Sequence, residues 1–78
     1  MRQEDLIGRI TTDPEVMVGK PVIRGLRITV DQVLKALAGG LSVEALLQDY
    51  LDLEKEDVQA ALIYAAALVD EEKVFAIR

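Results

Sequence analysis

Residues 30–72 carry three helical patterns separated by two short breaks, and this most narrows the fold. Thr29 followed by Gln32 is a capping-box pair that starts the first helix. Val30, Val33, Leu34 and Leu37 then fall on one stripe, with Asp31, Gln32 and Lys35 opposite. Gly39-Gly40 is a strong stop, which predicts a helix over about 30–38. Ser42 caps the second helix. There Val43, Leu46, Leu47 and Tyr50 recur at i, i+3, i+4 and i+7. The segment LDLEKED (51–57) is the next break, and the third helix is expected over about 55–72. Glu54, Glu56 and Asp57 stand at its start, where the helix dipole favours negative charge. Three short helices with tight connections suit a compact unit of the helix-turn-helix kind.

The third helix is unusual. Val58, Ala61, Leu62, Ala65 and Val69 form the stripe expected to face the core. The opposite face, Ala60, Ile63, Tyr64 and Ala67, is also apolar, where a solvated helix is polar. Either residues 1–28 cover it, or it is a subunit or partner interface. A chain of 78 residues has little else to cover it with, and a homodimer is predicted, through this helix or the N-terminal segment.

Upstream of the helices the chain is extended. Residues 1–9 read as a polar lead-in. RITTDPE (9–15) is a short extended piece ending in a turn, because Pro14 pushes Asp13 out of the helical region. Gly19 and Gly25 suit positive φ, and PVIRGLRIT (21–29) reads as two extended arms turning at Arg24-Gly25. The expected fold is therefore mainly α: one domain, 1–78. A β-hairpin or extended segment (9–29) precedes a three-helix unit (30–72), and the tail KVFAIR (73–78) is left unassigned.

Charge is unevenly placed. The chain has a net charge of -5, yet residues 1–35 carry six basic against five acidic side chains, and residues 36–78 carry three against nine. An acidic whole does not attract a polyanion, so nucleic-acid contact would have to come from the N-terminal third. Lys20, Arg24 and Arg27 sit there, on the glycine-flanked arm. They have three readings. They are a solvated hairpin, or contacts to DNA phosphates beside a helix-turn-helix, or bidentate donors to an acidic pocket on a protein partner. Against base reading, the start of the third helix would be the groove-facing end, and its acidic residues repel phosphate.

Several classes of chemistry are excluded. The chain has no His and no Cys, so Ser-His and Cys-His pairs, ordinary zinc sites and disulfides are absent. Its acidic clusters fit turns and helix starts better than general acid–base work. GKPVIRG lacks the spacing of a phosphate-binding loop. No enzyme activity, cofactor or metal is expected. The opening MRQEDLIGRI has charges where a signal peptide is apolar. The longest uncharged run, Val58 to Val69, is short of the roughly 20 residues that span a bilayer. A cytoplasmic protein without membrane contact is expected.

The motif order resembles the domain-of-unknown-function family 433. The resemblance rests on Ile10, the Asp13-Pro14 turn, Gly19-Lys20-Pro21, Ile23, Gly25, Arg27-Ile28 and Val30, then Gly40, Ser42, Glu44, Tyr50, Asp57-Val58 and Ala60-Ala61. It covers about residues 9–68, and the run from Gly19 to Ile28 is its most specific part. Leu51 and Glu54 depart from the pattern, where Pro and a hydroxyl cap are usual. The resemblance implies a homeodomain-like helix-turn-helix and an antitoxin paired with a PIN-like ribonuclease toxin, which often binds its own operator too. Neutralisation by an inserted arginine follows, with Arg24 or Arg27 first and Arg78 second. The competing expectation is a DNA-binding regulator, and a third is a structural subunit of another complex.

Overall fold

The computed structural model describes the backbone of residues 3–72 and the side-chain surroundings of residues 5–70. The tail 73–78, with Arg78, lies outside the described residues. The order of elements is α1 (Gln3–Ile7), β1 (Ile10–Thr11), β2 (Val22–Ile23), α2 (Val30–Ala38), α3 (Val43–Asp49) and α4 (Lys55–Glu72). The protein is mainly helical, with one small antiparallel sheet.

The helix ends form where their signals stand. The Thr29 hydroxyl accepts from the Gln32 N–H. The Gln32 side chain accepts from the Thr29 N–H at 2.8 Å, which completes a capping box. Ser42 caps α3 by accepting from the Ala45 N–H at 3.1 Å, as a serine at a helix start commonly does. Between them Gly40 has φ 101°, which a side chain disfavours.

Residues 3–7 correct one expectation: they are a helix, not a lead-in. So short a segment holds no helix alone. Here α1 lies against α4 and buries Leu6, so packing supplies what local propensity lacks.

The β arm also differs from a simple hairpin. Arg24 and Gly25 turn as expected, with φ 46° and φ 74° respectively, and both lie in the left-handed region that tight turns use. The Leu26 N–H donates to the Ile23 carbonyl at 2.7 Å. The returning arm makes an isolated bridge, Val22 to Thr29. The strand partner of β2 is β1, with Ile10 opposite Ile23 and Thr11 opposite Val22.

Ile23, Val30, Val33, Leu46, Leu53, Val58 and Ala61 form the core, drawn from β2, all three later helices and the α3–α4 loop. The expected stripe on α4 therefore holds only in part. Val58 and Ala61 are buried and Ala65 is half-buried, but Leu62 is 48% exposed and Val69 57% exposed. Leu62 borders an open hollow between α3 and α4 beside Val43, Leu47 and Val58. The α2 side chains Val30 and Leu34 reach along α4 as far as Leu68.

Candidate functional site

Two surfaces of α4 stand out, an ion cluster at its start and an apolar face toward its end. The cluster is set up by sheet register. Ile10 opposite Ile23 makes Arg9 and Arg24 neighbours across the strands, and the Arg24 N–H donates to the Arg9 carbonyl at 2.7 Å. Two like charges side by side repel unless an anion joins them. Asp57, three positions after Glu54, does so with no exposed surface of its own.

Asp57 accepts four hydrogen bonds. Arg24 Nε and Nη2 donate to Oδ1 and Oδ2, each at 2.9 Å, a bidentate pair. Arg9 Nη1 donates to Oδ1 at 2.9 Å, and the Glu54 N–H donates to Oδ2 at 2.9 Å. The last bond caps α4, so the acceptor at the helix start comes from Asp57. The Glu54 carboxylate instead takes Arg9 Nη1 at 2.8 Å. Arg24 Nη2 also donates to the Asp52 carbonyl at 2.8 Å, tying the β turn to the α3–α4 loop.

Burial by itself raises the Asp57 carboxyl. The donors from Arg24, the Glu54 N–H and Arg9 outweigh it, and the group is held below the ordinary carboxylate range. Asp57 is charged at neutral pH and fully satisfied. Its buried carboxylate is fully engaged, so what the cluster does chemically is lock the arm to the helix. Among the described residues no group of three or more His, Cys, Asp or Glu side chains is placed to hold a metal.

The basic residues of the arm thus separate. The Arg24 guanidinium is engaged within the chain. Lys20 is exposed, with a loose 3.9 Å approach to Asp31. Arg27 is exposed and, among the described residues, makes no ion pair. Sequence reasoning missed both the intrachain role of Arg24 and the involvement of Arg9. The available signal was an Asp at the third helical position followed by Val58 and Ala61, since a carboxylate among core residues needs cations.

The apolar face behaves differently. Of its four expected residues, Ala60 is buried inside the chain, Ile63 and Tyr64 are half-buried, and Ala67 is exposed. Beside them Leu68 is 41% exposed. Pro21, Val30, Leu34, Tyr64, Ala65 and Leu68 line a groove between α2 and α4 of ≈ 320 Å³, with Lys20 and Asp31 at its rim. The remaining large apolar exposures among the described residues are Val18 and Leu51, both in loops.

Comparison with known proteins adds a family. The profile described as "Protein of unknown function (DUF433)" matches residues 10–65. The chain is 40% identical over 58 residues to the "Uncharacterized protein y4eO" of Sinorhizobium fredii (strain NBRC 101917 / NGR234). That match covers 74% of this chain and 26% of the relative, so the chain spans about a quarter of that protein. No solved structure matches.

Proposed function

The chain belongs to the DUF433 family, and from that membership we propose that it is a protein-binding module, the antitoxin of a PIN-like ribonuclease. The observation that carries this reading is the outer half of α4. Leu62, Leu68 and Val69 stay 41–57% exposed on a helix that buries Val58, Ala60 and Ala61. Leu68 lines the groove against α2 and Leu62 a second hollow against α3, and exposed apolar groups at such hollows mark interaction sites. A nuclease of this type gathers carboxylates around a metal, and an arginine from the inhibitor competes for them without chemistry of its own. Arg24 is committed to Asp57, so Arg27 and Lys20 are the cations of the arm that remain for a partner; Arg78, the other candidate, lies outside the described residues. No catalytic step is assigned to this chain, and the same apolar face serves a homodimer.

The second reading is a DNA-binding regulator. It is favoured by α2, α3 and α4 taken as a homeodomain-like helix-turn-helix. Glu54 and Glu56 at the head of α4 oppose it, because they would meet phosphate. Such a protein shows operator affinity that falls steeply with salt and depends on Lys20 and Arg27.

The test is co-expression with PIN-like nucleases of the same genome, beginning with the frames adjacent to the gene. Growth should be rescued by the native chain and not by Leu68→Asp/Val69→Asp. Rescue lost in Lys20→Ala/Arg27→Ala/Arg78→Ala supports the arginine mechanism. No rescue by the native chain, with the tagged protein recovered alone from its host, sinks the antitoxin reading.

A further inference from the structure

A short stretch outside both surfaces is strained. Met17, Val18 and Gly19 have φ of 51°, φ of 57° and φ of 78°, three consecutive left-handed residues. Glycine accepts this; a β-branched valine does so only at a cost. The usual compensation for such a residue is burial, yet Val18 is 91% exposed. The shape is held by turn bonds instead. The Val16 N–H donates to the Asp13 carbonyl at 2.9 Å, Gly19 to Val16 at 3.1 Å and Lys20 to Met17 at 3.2 Å. The chain thus fixes an apolar side chain outward in a conformation that weakens its own fold. Strain retained this way collects at sites that meet something else.

We propose that this loop is a docking knob that seats Val18 in an apolar hollow of a protein partner rimmed by carboxylates. Two observations choose that partner. Around the knob, one hollow gathers Lys20 and Arg27 with a single acid, Glu15, and outside it Lys20 has only the loose 3.9 Å approach to Asp31, in a chain of net charge -5. Lys20 also borders the apolar groove of α4, so knob and groove form one continuous surface. The assignment rests on the protein-binding reading above and names the segment through which binding occurs.

The experiment places a photoreactive benzoylphenylalanine at position 18 of the full chain in its native host, with the same group at Gln48 on α3 as control. The adduct is identified by mass. An acidic protein captured from position 18 and not from 48 is then purified, and its affinity is measured for two changes. Val18→Asn suits the left-handed backbone but removes the knob. It should raise the melting temperature of the isolated domain by about 5 °C, the scale of one relieved residue in a domain this size, and weaken binding at least tenfold. Arg27→Glu should weaken binding by a similar factor while the melting temperature holds. No adduct at 18, an adduct to nucleic acid or to a second copy, or affinity indifferent to both changes overturns the proposal. A captured protein that is not a nuclease removes the antitoxin reading and leaves the knob standing. A neutralised nuclease that never crosslinks through position 18 does the reverse.

Discussion

The two halves of α4 are one continuous helix under opposite constraints. Its first half is closed: Asp57, Val58, Ala60 and Ala61 are buried, and both carboxylate oxygens of Asp57 have partners. From Leu62 onward it is open: Leu62, Leu68 and Val69 are 41–57% exposed, and α2 and α3 meet this part of the helix only across open hollows. The difference teaches how a small domain divides its sequence. Residues that close the core are fixed by neighbours within the chain. Residues that those neighbours only partly cover keep an apolar character that the isolated fold does not fully use.

This contrast breaks most readily at Asp57. Asp57→Ala leaves Arg9 and Arg24 facing each other and removes the cap on Glu54. It should cost about 3 kcal/mol at neutral pH, measured by denaturant unfolding. A loss below about 1 kcal/mol would mean that the cluster is ornamental. Acid makes the same cut more gradually. Because the folded Asp57 carboxyl is held below its ordinary value of 3.8, its stabilising contribution is present at neutral pH. It is lost as pH falls below the ordinary range and through the depressed value. The native protein should therefore lose stability toward about pH 3 and Asp57→Ala should lose less. A residual slope is expected from Asp31, lowered mainly by the hydrogen bond from the Thr29 hydroxyl and then by Lys20 and Lys35.

An intermediate effect calibrates the two. Thr29→Ala removes a buried cap from α2, distant in sequence from the cluster, and should cost about 1 kcal/mol. If it equalled Asp57→Ala, the start of α4 would hold no special position. The smallest effect belongs to the open half. Both side chains of Leu68 and Val69 already meet water. Leu68→Asp/Val69→Asp should therefore change stability by no more than about 0.5 kcal/mol. Light scattering of the same variant sharpens the comparison: the native chain should be dimeric at micromolar concentration and the variant monomeric. A large loss of stability in a protein that is monomeric throughout would return this face to the core.

Much of the fold is legible from local signals. Thr29-Gln32, Gly39-Gly40 and Ser42 set the ends of α2 and α3 by bonds within a few residues, so they read directly from the sequence. So does the Arg24-Gly25 turn. α1 is illegible because so short a segment has no pattern to measure and is helical only through packing on α4. The partner of β2 is illegible for a related reason, since a strand this short does not announce its register. The candidate site follows the same rule. The outward apolar character of α4 is written in its composition. Which of those residues the chain itself covers is not, and so Ala60 lies inside while Leu62 lies outside.

The sequence by itself determined the helical segments of α2, α3 and α4, the turn chemistry, the lack of His and Cys, and the placing of basic residues on the arm. Each depends on residue type and spacing alone. Only the tertiary structure decided what those basic residues do. Arg9 and Arg24 meet Asp57 from 48 and 33 positions away, and such a pairing exists only once sheet register and helix packing bring the three together. That closure ties Arg24 to Asp57 and leaves Lys20 and Arg27 facing outward, because a guanidinium held by a buried carboxylate is costly to withdraw for a partner.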